Sequence, residues 1–496
     1  MLPRLRSSAR LLRKLRGVEA AAAAAAAARR ISGAAPASSA RDASLLRPLP
    51  GLDLPPCLPD QLGRSPTVVT TLPNGVRIAS EDVPGPAACV GLFVDSGSIY
   101  ETEETAGASH LLEKLAFKDT KHRSHLQIVQ ELEFAGGNVG ASAAREQMVY
   151  SCDTLKAYMP QAVEVLIDSV RNPLFLRDEV ERQVALAREE AQDLRKNPER
   201  FLQETLNLAG YHGGLANPLI ADHYALARIN DGIIRKFYQE NFTADRLVLA
   251  ASGVDHQNLL DLAEPLLNDW QKGSSVEKPK STYVGGDYRQ SGESDATHVA
   301  LAFEVPGGWL QERDSTIMTV LQTLLGGGGS FSSGGPGKGM HSRLYVRVLN
   351  KYYGVESFSA FSNVYDNSGL FGIYLSTIQS SDIIAKAVDI AINELVAVAT
   401  PGEVTEVELT RAKNSTISSV LMNLESRAIV AEDIGRQLLT YGCRKPIDYF
   451  LKILDEMTLD DVTAFAQKLL SSQPTMASWG DIDKVPPYEV ICKRLR

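Results

Sequence analysis

Residues 107–118 read Gly-Ala-Ser-His-Leu-Leu-Glu-Lys-Leu-Ala-Phe-Lys. On a helix, His-x-x-Glu-His sets two imidazoles at i and i+4 on one face, spaced to ligate zinc. The glutamate between them is placed to take a proton from zinc-bound water. Here His110 and Glu113 stand in those positions, and Lys114 replaces the second histidine. A protonated amine has no lone pair and repels a dication. The motif therefore lacks a ligand, and neither a catalytic residue nor a metal site is assigned to it. A third ligand would have to come from elsewhere in the chain. Glu189 and Glu190 lie about 76 residues beyond Glu113, in a stretch over 178–196 where Val180, Val184, Ala187, Ala191 and Leu194 recur at helical spacing.

A second candidate is the glycine-rich run 326–340. Its binding residues are taken as Gly326, Gly327, Gly328, Gly329, Ser330, Phe331, Gly334, Gly335, Gly337, Lys338, Gly339 and Met340. A phosphate loop ending in Lys338 would need glycine at 332 and a hydroxyl residue at 339, where Ser332 and Gly339 stand. A dinucleotide fingerprint through Gly335 and Gly337 fails at Met340. Glycine permits close backbone approach to an extended peptide, and Phe331 and Met340 offer apolar contact. Long loops inside a domain usually carry function.

These groups need elements to hold them, and the chain reads as one design used twice. Residues 68–80 suggest a strand, a Pro-Asn-Gly turn and a second strand. Val90–Val94 and Val299–Phe303 are comparable apolar strands, each followed by an apolar helix, over 106–117 and 314–325. Ile234, Phe237 and Gln239 match Val462, Phe465 and Gln467 at an offset of 228, and Gly253 falls on Gly480 after a one-residue slip. Helical stretches over 155–208 and 380–440 fill the middle of each half. The expectation is an α+β chain with two related domains, 66–275 and 294–490, joined by a linker over 276–293.

The layout resembles the inverted zinc-peptidase family that includes pitrilysin, insulin-degrading enzyme and the mitochondrial processing peptidases, over nearly all of residues 66–490. Three stretches carry the likeness to the alpha-type subunits of the last group: 107–117 with its substituted histidine, Gly136–Val139 followed by Ala141–Gln147, and the glycine run. The resemblance implies two homologous peptidase-like α/β-roll domains and places Glu190 at the distal-ligand position. It further implies a non-catalytic subunit without a cofactor, paired with a zinc-bearing beta subunit, that binds the presequences of imported precursors through the glycine run. The same family supplies core subunits of the cytochrome b-c1 complex (complex III). In plants the peptidase is integrated there, and the sequence looks closest to that form. A structural core subunit is therefore the alternative, with complex III subunits as partners and a matrix location peripheral to the inner membrane.

Composition agrees with a globular body. The 496 residues are 44% hydrophobic and 22% charged, and the net charge of −9 argues against a nucleic-acid protein. Residues 1–41 carry nine basic side chains and one acidic, +8, which leaves −17 on residues 42–496. An Arg-, Ser- and Ala-rich, acid-poor start reads as a mitochondrial transit peptide, with cleavage expected near Ile31 and a linker arm over 42–65. An acidic body provides a favourable field for cationic presequences. No transmembrane span is expected. Five scattered cysteines without a Cys-x-x-Cys read as reduced thiols.

Overall fold

The computed structural model describes residues 65–273, 278–329, 339–378 and 383–495. The expected leader 1–41, the arm up to residue 64, and Ser330, Phe331, Gly334, Gly335, Gly337 and Lys338 lie outside the described residues.

Two six-stranded sheets organise the described residues. The first comprises β1 (Val68–Thr71), β2 (Arg77–Glu81), β3 (Ala87–Val94), β4 (Asn138–Ala143), β5 (Met148–Leu155) and β6 (Leu247–Ser252), in the order β1-β2-β6-β3-β5-β4. The second comprises β7 (Gly286–Ser291), β8 (Ala296–Glu304), β9 (Gly327–Gly329), β10 (Val355–Val364), β11 (Gly369–Ile378) and β12 (Thr475–Gly480), in the order β9-β10-β11-β8-β12-β7. Read from opposite ends, five strands correspond: β2 with β7, β6 with β12, β3 with β8, β5 with β11 and β4 with β10. In each sheet one pair is parallel, β2 with β6 and β7 with β12, and the rest are antiparallel.

The one-residue slip is also structural. Ser252 pairs with Cys89, and Trp479 pairs with His298. At both Gly253 and Gly480 a Cβ would stand 2.7 Å from a backbone carbonyl oxygen, that of Ala87 or Ala296 at the start of the neighbouring strand. The repeat read from sequence is a repeat of backbone packing.

Helices cover both faces of each sheet, which explains the nearly continuous apolar strands. The helices used below are α1 (Ala108–Lys114), α2 (Met159–Arg171), α3 (Arg177–Asp193), α4 (Pro198–Gly210), α5 (Glu312–Leu325), α6 (Ile383–Ala399), α7 (Glu406–Asn423) and α8 (Arg427–Tyr441). Val90, Leu92 and Val94 of β3 point into the first core with Val163, Leu166 and Ile167 of α2. Val299, Leu301 and Phe303 of β8 meet Leu321 and Leu325 of α5 and Ala391 and Leu395 of α6.

The opposite faces are covered by exchange. From the second half, α8 lays Val430, Ile434 and Leu438 over Ala79, Phe93, Val248 and Ala250 of the first sheet. From the first half, α4 lays Phe201, Leu202 and Leu206 against Ala300, Ala302, Tyr374 and Ala477 of the second. Each exchanged helix meets its sheet at a glycine. A Cβ on Gly210 would come within 2.7 Å of Thr475 Oγ1, and one on Gly435 would overlap the Phe93 ring. Residues 65–496 accordingly form one compact unit.

Polar groups close the same join. Arg145, in the β4–β5 turn, is buried and donates to Glu204 Oε2 of α4 (2.9 Å) and to the Leu215 carbonyl (3.2 Å). Next to it, Glu146 accepts from the Asp366 backbone N–H of the β10–β11 turn (2.8 Å). The Lys278 ammonium bridges the two carboxylates, 2.9 Å from Glu146 Oε1 and bonded to Asp366 Oδ2. The 141–147 stretch thus fastens the two halves together.

Three expectations change. Residues 276–293 are not a bare linker, because 286–291 form β7. That strand is half-exposed and polar at a sheet edge, so it shows no apolar signature. The helix expected over 106–117 is only Ala108–Lys114, and Phe117 turns into the left-handed region just beyond it. The glycine run is not a loop throughout, because Gly327–Gly329 form β9 at a sheet edge.

Candidate functional site

Helix α1 starts without a side-chain cap of its own. Gly107 turns into it in the left-handed conformation, and the buried Glu101 carboxylate accepts from the Gly107 N–H (2.7 Å), the Ser109 N–H (2.8 Å) and the Ser109 hydroxyl. Ala108, Leu111 and Leu112 bury the inner face of the helix, which turns His110, Glu113 and Lys114 towards α3 and β4. On α3, Val180, Val184 and Ala187 are buried, Glu189 is exposed, and Glu190 lies half-buried opposite α1.

Four residues that the sequence analysis linked meet here. Glu190 Oε2 stands 2.7 Å from Lys114 Nζ and 3.3 Å from His110 Nε2. Lys114 Nζ is 3.9 Å from Glu113 Oε1, and the other Glu113 oxygen accepts from the Ala143 N–H at the end of β4 (2.7 Å). Arg200 at the start of α4 reaches Glu190 Oε1 at 3.8 Å. His110 Nδ1 accepts from the Ala221 N–H (3.3 Å), so Nε2 carries the ring hydrogen and donates it to Glu190.

The protonation states follow. Burial lowers the His110 pKa, and the attraction of Glu190 does not offset it, so the ring is neutral. Burial alone would raise the Glu190 carboxyl, but the hydrogen bond and charge of Lys114, with His110, outweigh it and hold the group below the usual carboxylate value. The zinc that a complete His-x-x-Glu-His shell would hold does not fit these residues. An ammonium occupies the second ligand position and already satisfies the distal carboxylate. Among the described residues no cluster of three or more His, Cys, Asp or Glu is placed to hold a metal ion.

Glu101, Arg200 and the Arg145–Glu204 pair were not among the candidates. An acidic residue seven positions ahead of a helix start is the one signal that could have pointed to Glu101. Burial pushes the Glu101 carboxyl up to about 7, against the lowering pull of its bonds to Ser109 and Gly107. The folded state therefore keeps a proton that the unfolded chain gives up, from the ordinary value of 4.5 upwards. This group's contribution to stability falls as pH rises from 4.5 to about 7 and is level above that. Thermal melts at about pH 5 and about pH 7.5 should show the balance between wild type and Glu101→Gln moving towards the variant at the higher pH. An unchanged difference would contradict this.

The described glycines at the start of the run are held by the fold. Gly326 ends α5 with φ near +60°, where its N–H still reaches the Gln322 carbonyl, and a Cβ would overlap Ser342. Gly327 lies so close to β10 that a Cβ would overlap the Phe358 carbonyl. Gly327, Gly328 and Gly329 pair with Ser359, Phe358 and Ser357. Their backbone freedom is used by the fold. Gly339 has open space around it and Met340 is partly exposed, and both line a groove of about 580 Å³ between α5 and α7 with Leu324, Glu408 and Arg411.

The profile of the insulinase family (peptidase family M16) matches residues 77–223, and that of the M16 inactive domain matches residues 228–416. The chain belongs to the M16 peptidase family. This M16 chain is 54% identical to the mitochondrial-processing peptidase subunit alpha of Solanum tuberosum, over 90% of its own length and 89% of the relative's. It is 54% identical to a probable mitochondrial-processing peptidase subunit alpha-1 of Arabidopsis thaliana, over 92% and 90%. To the human mitochondrial-processing peptidase subunit alpha it is 33% identical, over 90% and 88%. The α+β, two-part fold expected from sequence is that of this family. Among the described residues of this M16 chain, no helix is long and apolar enough to cross a membrane, and Cys89, Cys152, Cys443 and Cys492 are free thiols.

Proposed function

We propose that the chain is the non-catalytic, substrate-recognising subunit of a mitochondrial processing peptidase. The observation that carries this reading is the substituted site within an intact family fold: Lys114 stands 2.7 Å from Glu190, where a peptidase needs a metal ligand. In this reading a beta partner supplies the zinc and its water, and this chain contributes presequence binding in an acidic environment. The leader over 1–41, removed near Ile31, delivers the chain to the matrix. Association with the inner membrane through complex III belongs to the same reading, as the structural role the family also fills.

Gly326–Gly329 shape the root of the glycine segment, so the recognition role falls on residues 330–340. Three reconstitutions test the assignment: this chain alone, a beta partner alone, and both together, each with a precursor carrying a cationic presequence. Cleavage is expected only with both. Cleavage by this chain alone would overturn the non-catalytic assignment. Deleting 330–338, which leaves β9 in place, is expected to weaken precursor binding while the heterodimer still forms. Undiminished precursor binding by a correctly assembled heterodimer would remove the role given to the segment.

A further inference from the structure

We propose that the Lys114 ammonium is a resident cation, supplying positive charge to Glu190 where a metal ion otherwise would and holding α1 to α3 in its place. The groups around it support this. Glu190 Oε2 is shared between Lys114 Nζ (2.7 Å) and His110 Nε2 (3.3 Å), and Glu113 faces the ammonium at 3.9 Å. These groups come from two helices separated by more than sixty residues of sequence. Lys114, Glu113 and Glu190 each have 28% of the side chain exposed, and His110 has 4%. The pair is therefore shielded more than an ordinary surface ion pair, which contributes little. Arg200 adds a second positive charge on the far Glu190 oxygen, so the clamp also touches the exchanged helix α4.

A mobile metal binds and leaves, whereas a lysine is covalently present and cannot be extracted by a chelator. The remaining shell keeps His110, the i+4 position on the same helix face, and Glu190. Replacing the lysine with histidine is therefore expected to turn a built-in cation site into an exchangeable zinc site. The Ala221 N–H at His110 Nδ1 disfavours the ligating form of that ring, so the variant should hold zinc more loosely than a complete site would. None of this depends on presequence binding.

The test uses the full chain without a beta partner. Wild type, Lys114→His, Lys114→Met and the double variant Lys114→His with Glu190→Gln are dialysed against zinc, desalted and assayed for bound metal. One equivalent is expected on Lys114→His, removable by a strong chelator, and none on the other three. In thermal melts without metal, Lys114→Met is expected to melt about 2–4 °C below wild type, because Glu190 loses the nearer of its two cations and the only one bridging α1 to α3. A folded Lys114→His that takes up no more zinc than wild type would overturn the proposal. So would a Lys114→Met that melts with wild type.

Discussion

Lys278→Met is expected to destabilise the chain by about 3 kcal/mol, the scale for removing one partner from a shielded ion pair. Without the ammonium, the Glu146 and Asp366 carboxylates face each other across the join between the halves with no cation between them. Glu146 keeps the Asp366 N–H, and Asp366 keeps the Thr440 hydroxyl (3.1 Å), but neither bond carries a positive charge. Guanidinium denaturation of the purified chain measures the loss. Adding Asp366→Asn to the variant should recover part of it, because one of the two facing charges is gone. A loss below about 1 kcal/mol would place this cluster with ordinary surface pairs.

Gly435→Val is expected to cost at least as much, through sterics rather than charge. The helix α8 approaches β3 closely enough that a Cβ at 435 would overlap the Phe93 ring. Phe93 is fully buried, with Ala79, Val248 and Ala250 beside it, so the ring has nowhere to turn. The helix must lift, which opens gaps along Val430, Ile434 and Leu438. Overpacking of this kind typically costs about 1–3 kcal/mol, and the lost burial adds to it. The expected result is a lower melting point with increased binding of an apolar dye, as the outer face of the first sheet becomes accessible. Shrinking the ring with Phe93→Leu in the Gly435→Val background should restore part of the stability. A Gly435→Val chain that melts with wild type would show that α8 is not seated as described.

Much of this architecture is legible in the sequence. Val90–Val94 and Val299–Phe303 are apolar on successive residues, as strands covered on both faces must be. The repeat between the two halves survives as five matched strands and, after the one-residue slip, as matched glycine contacts at Gly253 and Gly480. What was not legible follows from what side-chain patterns encode. Stripes on α4 and α8 state that each helix has a buried face, but not which sheet lies against it. The strand Gly327–Gly329 is built from backbone alone and has no side-chain pattern to read.

The site shows the same division. The substituted histidine at Lys114 was plain from spacing, and the family resemblance placed Glu190 near it. The ion pair that results, the Arg200 contact and the capping of α1 by Glu101 all depend on chain segments distant from the motif or outside it. Ser330, Phe331, Gly334, Gly335, Gly337 and Lys338, which carry most of the expected recognition chemistry, lie outside the described residues.

The exchange of α4 and α8 has a consequence for how the chain is made. As residues emerge N-terminus first, from a ribosome or through a membrane pore, the first sheet is complete once β6 at 247–252 is available. Its outer layer arrives only with 427–441, about 175 residues later. During that interval Phe93, Val248 and Ala250 form an uncovered apolar surface, the kind that holdase chaperones bind and that otherwise drives self-association. A chain cut between the halves keeps that liability permanently. Biogenesis of the protein is therefore tied to delivery of nearly the whole polypeptide, and chaperone demand should peak when the first half is out and the second is still arriving.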